Sequence, residues 1–172
     1  IPSSVTNIGF GAFVGCTNLT SVIFANEGQL TSIGDGAFYN CTSLTSIEIP
    51  AGVTSIGQSA FSGCTASITF AEGSQITSIG VYAFYGWQGT SIEIPAGVTS
   101  IGSSAFSDCS GLTSIEIPAG VTSIGKYAFI NCDSLTRIVI PVSVTEVEDA
   151  AFNWCDSLTN VYYKGNSEQW SQ

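Results

Sequence analysis

One unit of about 23 residues repeats along almost the whole chain, and this repetition limits the possible folds more than any other feature of the sequence. Twelve residues, SIEIPAGVTSIG, occur letter for letter at 46–57, 91–102 and 114–125. An alanine-phenylalanine pair marks every unit, and successive phenylalanines lie 22 to 25 residues apart. These are Phe13, Phe38, Phe61, Phe84, Phe106, Phe129 and Phe152. Such a period predicts stacked coils rather than one globular core.

The apolar spacing within one unit predicts two short strands followed by a tight turn. Ile47 and Ile49 alternate with Glu48, which is the pattern of a strand with one buried side. Proline and glycine in residues 50–52 then turn the chain, and residues 53–56 form a second β-prone run. After Gly57, inward positions lie three or four residues apart, which predicts one helical or 3₁₀ turn. No piece buries its apolar side alone, so the units are predicted to stack into a solenoid.

The repeat also predicts which side chains face inward. Six units place a glycine after the second strand, but Glu148 occupies that position in the last unit. Glutamate seldom adopts a positive φ, so we interpret this glycine as a residue of close packing between coils, with a different bend of the last unit as the alternative. The inward set of one coil is predicted to be Leu112, Ile115, Ile117, Val121, Ile124, Ala128, Phe129 and Cys132.

The pattern C-x-x-L-x-x-I-x-I-P-x-x-V-x-x-I-G-x-x-A-F resembles the BspA-like subclass of leucine-rich repeats, which has a 23-residue repeat. The resemblance covers nearly the whole chain. It implies a right-handed leucine-rich-repeat solenoid of about seven coils, built mainly from short parallel β-strands. BspA-like repeats occur on surface proteins of bacteria and some protists. The resemblance therefore implies an extracellular or cell-surface location, adhesion, and binding of host matrix or neighbouring-cell proteins.

The chain is predicted to divide at residue 160. Residues 1–160 form the solenoid, and residues 161–172 form a final strand and a C-terminal cap, because terminal repeats must close an exposed apolar core. Tails of the form VYY-x-G-x-x-x-x-W, ending here at Trp170, resemble those that close arrays in this family. The chain contains no methionine and begins within a unit, so we expect it to be part of a longer protein.

Composition argues against several functions. A net charge of −10 with only three cationic side chains gives no footprint for nucleic acid. No apolar run approaches the roughly 20 residues of a membrane-spanning helix, so direct membrane insertion is not expected. Histidine is absent and no Cys-x-x-Cys motif occurs, so no metal site, cofactor or catalytic residue is predicted. Glu93 and Glu116 share a rung, but identical surroundings would not give one the role of acid and the other that of nucleophile.

The six cysteines are predicted to be free. All lie three residues after the repeat phenylalanine, and Trp87 occupies that position in the fourth unit. Equivalent side chains of stacked coils point the same way, which suits disulfide geometry poorly. Free cysteine behaves as a small buried hydrophobe, so we interpret these residues as buried thiols, with a few disulfides as the alternative.

Two adjacent coils depart from the repeat. The segments after Cys64 and Trp87 are short by two residues and one residue, and both lack the leucine found in the other units. We expect irregular stacking there, with Trp87 filling the missing volume. The turns at 25–28 and 71–75 are longer and lack proline. They are interpreted as tolerated surface insertions, with a part in specificity as the alternative.

Three functions remain open: a protein-binding adhesion module, a passive spacer that displays other domains, and a carbohydrate binder. The last would use tyrosines of the turn side, namely Tyr39, Tyr82, Tyr85 and Tyr127. For protein binding we predict the face made by the outward residue of each first strand. This outward row, with Arg137 beside it, comprises Ile23, Glu48, Thr69, Glu93, Glu116, Val139 and Tyr162. An acidic row favours a basic, partly apolar partner segment, although its glutamates could serve solubility alone.

Overall fold

The computed structural model describes residues 1–26 and 28–165, which wind into about seven coils. The short β-prone runs of each unit become strands of two to four residues, because the turn residues between them end each run. In chain order these strands are β1 (Asn7–Ile8), β2 (Ser32–Ile33), β3 (Ser46–Ile49), β4 (Ser55–Ile56), β5 (Ser67–Phe70), β6 (Ser78–Ile79), β7 (Ser100–Ile101), β8 (Ser114–Glu116), β9 (Ser123–Ile124), β10 (Arg137–Ile140), β11 (Glu146–Val147) and β12 (Asn160–Tyr163).

The strands form rows that run along the solenoid, one strand per coil. The second strands of all coils make one continuous seven-stranded sheet, in the order β1-β2-β4-β6-β7-β9-β11. The first strands make two separate sheets, β3-β5 and β8-β10-β12. Every pairing is parallel and joins equivalent residues, as Ile33 with Ile56 and Ile47 with Ile68. The parallel β-solenoid predicted from the repeat is therefore confirmed.

The core is a set of ladders of identical side chains. All eight residues of the predicted inward set are buried, between 0% and 4% exposed. The phenylalanines stack along the axis with ring centroids 5.0 to 5.8 Å apart and planes within 13° of parallel. Offset stacking at this spacing is favourable for aromatic pairs. Each coil is thereby stabilised mainly by its two neighbours.

The predicted helical or 3₁₀ turn is not found among the described residues. In the second coil, three overlapping β-turns begin at Gly34, Gly36 and Phe38, each closed by the amide three residues on, at 3.2, 3.0 and 3.2 Å. The intervening amides donate to carbonyl groups of the next coil. For example, the Phe38 amide donates to the Ala60 carbonyl at 2.8 Å. A helix would use these amides within its own turns. Half of them instead bind neighbouring coils together.

These turns place two residues per coil in the left-handed region, four positions apart. In the second coil they are Gly36 (φ 60°) and Asn40 (φ 55°), the third residues of the first and third turns. Type II turns need a positive φ at this position. Several coils meet the requirement without glycine or asparagine, at Ser59, Tyr82, Ser104, Asp108, Tyr127, Ala150 and Trp154.

The glycine after the second strand is confirmed as a close-packing residue. A Cβ atom on Gly80 would lie 2.7 Å from the Ile56 carbonyl oxygen of the preceding coil. On Gly125 it would lie 2.7 Å from the Ser103 amide nitrogen. Neither glycine has a positive φ, so space rather than conformation selects it.

All six cysteines are free, as predicted. Cys41, Cys64, Cys109 and Cys132 are buried, whereas Cys16 in the first coil is exposed and Cys155 in the last is only partly buried, which corrects the expectation for these two residues. Each buried thiol donates to the phenylalanine carbonyl of the preceding coil, at 2.9 Å for Cys64 and Phe38. Burial raises the pKa of Cys64 and of Cys109 to about 12, so both remain protonated at neutral pH.

At the C-terminal end, the expected final strand is present as β12, which pairs with β10 in register. The remainder of the predicted cap, residues 166–172 with Trp170, lies outside the described residues. No helix in the described part of the chain is long and apolar enough to span a membrane.

Candidate functional site

The predicted outward row is exposed at most of its positions but is not continuous. Ile23 is 77% exposed, and in place of a paired strand its coil has an isolated β-bridge between Ser21 and Ser46. Glu48 on β3 and Thr69 on β5 are both exposed and directly opposite each other. Neither acquires a charged partner among the described side chains. This half of the row thus presents an unpaired carboxylate.

The C-terminal half of the row is partly neutralised. Lys164 pairs with the Glu116 carboxylate, and this hydrogen bond and positive charge lower the pKa of Glu116. Arg137 lies over the Tyr162 ring, 4.9 Å from its centroid, in a cation–π contact. Both cations of this region are therefore engaged with residues of the row itself. Sequence reasoning missed the Glu116–Lys164 pair because its partners lie two coils apart.

Val139 is buried, with 5% exposure, which corrects its prediction as a contact residue. It lies between Glu116 and Tyr162 in register, outside the main core cluster. Lys164 belongs to the coil after Val139 and reaches Glu116 in the coil before it. The Glu116–Lys164 pair therefore spans the coil of Val139, and the buried valine offers almost no surface to a partner.

Glu93 lies where the row of first strands is interrupted. Residues 91–94 have the same sequence as β3, yet they form no strand and make no backbone hydrogen bond to either neighbouring coil within the described structure. The coil stays attached on both sides of this segment. The Gln88 amide donates to the Cys64 carbonyl at 3.1 Å, and the Thr99 amide donates to the Thr77 carbonyl at 2.9 Å. The opening is therefore local.

Two clefts flank the open segment. The larger, which we call the main cleft, lies towards β5, has a volume of about 610 Å³, and is lined by residues of β5, residues 71–74 and residues 91–97. The smaller lies towards β8 and has a volume of about 550 Å³. Glu72 joins Glu93 at the main cleft because the longer turn carries it there. Sequence reasoning did not single out Glu72, although it identified that turn.

The break coincides with the two short segments predicted to disturb the stacking. Trp87 is completely buried, and its Nε1 donates to the Ala66 carbonyl at 2.8 Å. Its ring meets Phe84 edge-on at 6.3 Å. A Cβ atom on Gly89 would lie 1.8 Å from the tryptophan ring. Trp87 thus occupies the volume of the missing leucines, as predicted.

The tyrosines of the turn side form a second polar surface. Tyr39, Tyr82, Tyr85 and Tyr127 are 38% to 41% exposed. Tyr82 and Tyr85 meet edge-on at 5.8 Å. The charge of Asp108 and its hydrogen bond raise the pKa of Tyr85. Asn131 donates to the same carboxylate at 2.7 Å. Tyr127 is separate and lies under Lys126 at 4.9 Å.

Nothing in the described residues gathers three or more metal-binding side chains of the His, Cys, Asp and Glu types. Glu93 and Glu116 do not have identical surroundings, since only Glu116 pairs with Lys164, which corrects one step of the sequence argument about catalysis. Both carboxylates are exposed on the surface of the solenoid. Enzymatic acids and bases usually lie in desolvated sites, so these positions do not resemble a catalytic pair.

The ladders, the parallel rows and the repeat together define a leucine-rich-repeat solenoid. The chain belongs to the family described as the BspA type leucine rich repeat region, whose pattern matches residues 1–89 and 77–172 with six copies. No curated protein sequence matches it significantly.

Solved structures support the same fold. The chain is similar to the leucine rich repeat protein TpLRR of T. pallidum, with 26% identity and a TM-score of 0.73, over 93% of this chain and 72% of that one. It is also similar to a leucine-rich repeat protein from Bacteroides ovatus, with 28% identity and a TM-score of 0.61. That match covers 95% of this chain and 48% of the other. Repeats of this family are typical of non-enzymatic interaction proteins.

Proposed function

We propose that this chain is a non-catalytic module on the cell surface or outside the cell, where it binds a host matrix or neighbouring-cell protein. The observation that carries the proposal is the exposed first-strand face, on which Glu48, Thr69 and Glu93 stand free of charged partners in the described structure. The family supports an interaction role in general terms.

The charge of this face favours a basic partner. The chain carries 13 acidic against three basic residues, and Lys164 and Arg137 are engaged with Glu116 and Tyr162. The outward row is therefore acidic at Glu48 and Glu93 and apolar at Ile23, with Tyr162 at its C-terminal end. Such a face accelerates association with a basic, partly apolar segment more than it strengthens the final complex.

The test compares a double variant, Glu48→Gln with Glu93→Gln, against an equally charged control, Glu146→Gln with Asp156→Asn. The control residues are exposed but lie outside the outward row. Binding to a panel of immobilised matrix proteins and glycans is measured at low and high salt. We expect the double variant to lose association rate by roughly tenfold at low salt and the control to lose less than about twofold. Equal losses in the two variants would contradict the proposal.

A carbohydrate ligand is the second candidate, supported by the tyrosine surface of the turn side. Exposed aromatic rings beside an oriented carboxylate suit sugar rings and their hydroxyl groups. Here Tyr82 and Tyr85 supply the rings, and Asn131 holds the Asp108 carboxylate. Glycan binding that Tyr82→Ala abolishes and the Glu48 and Glu93 changes leave intact would favour this candidate. Binding of no protein and no glycan would leave the chain as a passive spacer.

A further inference from the structure

The edge of β5 that faces the main cleft carries unused backbone groups. The amides of Ser67 and Ala71 donate to the Thr45 and Ile49 carbonyls of the preceding coil, at 2.9 and 3.0 Å. Alternate residues of a strand point their backbone groups to opposite sides. Ile68 and Phe70 therefore direct their amides and carbonyls into the main cleft, where residues 91–94 fail to pair with them.

The main cleft has the form of a missing strand. Elsewhere in β3, β5, β8, β10 and β12 neighbouring strands satisfy each other directly, as β10 does with β8 and β12. At the break, the volume of about 610 Å³ lies between the unpaired edge of β5 and the segment that begins at Ser91. Ligand pockets commonly measure about 300–1,000 Å³. Exposed strand edges accept extended peptides through main-chain hydrogen bonds, while side-chain pockets give specificity.

The charges at the main cleft indicate which kind of partner segment it would bind. Glu72 and Glu93 both line it, and no lysine or arginine does. Ile68 and Ile92, which are largely buried, add apolar side chains to the lining of the same cleft. The smaller cleft has Glu116 on its other wall, but that carboxylate is paired with Lys164. Within the described structure, the main cleft thus combines unpaired backbone groups, two carboxylates without an ion-pair partner, and apolar side chains.

We propose that the main cleft binds an extended segment of a partner protein that carries lysine or arginine, which adds a strand beside β5 and places its basic side chain between Glu72 and Glu93. This inference rests on the proposed function, because it names the part of the face and the form of the partner. A second copy of this chain is a poor occupant, since its net charge is also −10.

The probe for the test is an end-blocked heptapeptide of alternating threonine and valine with a central lysine. Its affinity for the whole chain is measured by calorimetry, beside a peptide with central glutamate. Two further peptides carry backbone N-methyl groups on every second residue, one in each register. We expect the glutamate peptide to bind at least about tenfold more weakly than the lysine peptide. We expect the same loss for at least one of the two N-methylated peptides. Equal binding of all four peptides, or none by the lysine peptide at millimolar concentration, would overturn it.

Matched variants locate the site on the chain. Glu72→Gln together with Glu93→Gln is expected to weaken the lysine peptide roughly tenfold, whereas Glu146→Gln together with Asp156→Asn, outside the main cleft, should change it by less than about twofold. All four side chains are exposed, so folding is not at risk. An effect of the control pair as large as that of the Glu72 and Glu93 pair would place the peptide elsewhere and overturn the proposal.

The two proposals fail in different ways. If a protein partner binds in a way that depends on Glu48 and Glu93, but the lysine peptide does not displace it, the peptide site at the main cleft is contradicted and the proposed function stands. If the peptide binds at the main cleft but no protein of the panel binds, the proposed function is contradicted and the peptide site stands. If the chain forms a concentration-dependent dimer that the peptide disrupts, the occupant of the main cleft is a second copy of the chain. That result would contradict this proposal.

Discussion

Residues 46–49 and 91–94 have the same four amino acids and begin the same twelve-residue sequence, yet the first four form β3 and the second four form no strand. The third copy forms β8. The local sequence is therefore compatible with a strand but does not suffice for one. A strand at this position also needs a neighbouring coil at the right distance, because its backbone groups pair only between coils.

The coils around residues 91–94 differ in length. The connection after Cys64 is two residues shorter and that after Trp87 one residue shorter than the connection after Cys41. The next turn, at residues 71–75, is longer, so the unit length is nearly restored. Trp87 fills the core, but residues 91–94 remain without backbone hydrogen bonds to either neighbouring coil in the described structure. In a repeat protein each coil interacts only with its neighbours, so the consequence of a length change remains local.

The largest expected effect comes from Trp87→Ala, which would remove the side chain that compensates the short coils. Loss of a buried aromatic costs about 3–5 kcal/mol of unfolding free energy. The Ala66 carbonyl would also lose its donor. The control is Trp154→Ala, because Trp154 is 63% exposed, and less than about 0.5 kcal/mol is expected there. Similar costs in a denaturant titration would show that Trp87 does not hold the irregular coils.

Phe129→Ala probes the regular part of the solenoid for comparison. Phe129 is fully buried and stacks on Phe106 at 5.2 Å and on Phe152 at 5.3 Å. We expect a loss of about 3–5 kcal/mol, since the ring is removed from two stacked contacts. The measurement is equilibrium unfolding in urea. An unchanged stability would mean that the inward register is wrong.

Gly89→Ala tests the fit of Trp87 from the opposite side. The added methyl would lie 1.8 Å from the buried ring, so either the ring or the backbone must move. Overpacking of this kind costs about 1–3 kcal/mol. Gly9→Ala is the control, because no atom lies within 4 Å of its Cβ position. Thermal unfolding compares the two, and an equal shift in Tm would contradict the packing described here.

Much of this architecture was accessible from the sequence. The recurring apolar spacing of seven units predicted the coils and the inward residues, because burial at regular intervals is visible in the sequence. The two shortened segments predicted the place of the irregularity. The turn segment was misjudged. Gly36 and Asn40 sit at the two positions that need positive φ, and glycine or asparagine recurs there in several coils. That recurrence indicates turns whose third residue has a positive φ, and such turns can share the inward spacing of a helix.

The candidate site was less predictable. Glu48 and Glu93 were placed correctly on the exposed face, since alternation along a strand fixes the side. Val139 is buried although alternation predicts an exposed side chain, and Glu116 is paired with Lys164, which lies two coils beyond it. The main cleft depends on coil length rather than on any motif. Contacts between coils are set by three-dimensional stacking, and the order of residues in one unit does not contain them.

Hydrogen exchange compares the identical segments directly. The amides of residues 91–94 have no backbone partner in the described structure, whereas Thr69 and its neighbours in β5 pair with β3. We expect amides 91–94 to exchange at least about tenfold faster than those of β10, which is paired on both sides. Equal protection would show that the segment is closed in solution.

A length graft sharpens the same comparison. The connection after Cys64 is extended by two residues to match residues 41–46, and Trp87 with its connection is replaced by residues 109–113. We expect the protection of amides 91–94 to rise towards that of β10 if coil length causes the opening. Protection that stays low after the graft would point to another cause.

The smallest expected effect separates two copies of the same glutamate. Glu116 pairs with Lys164, whereas Glu93 has no ion-pair partner in the described part of the chain. The pair is exposed, so Lys164→Gln should change stability only slightly.

The pH dependence of this pair follows from the pKa of Glu116, which Lys164 lowers. The contribution of the pair to stability is present above the unfolded carboxyl pKa of about 4.3 and disappears as the pH falls through the lowered pKa of the folded state. Carboxyl titration by NMR should show the pKa of Glu116 rising in Lys164→Gln. Lys126→Gln, which removes the Lys126–Asp149 pair, is the control and should leave Glu116 unchanged. An unmoved Glu116 titration in Lys164→Gln would mean that the two glutamates are equivalent in solution, and that the smaller cleft is as acidic as the main one.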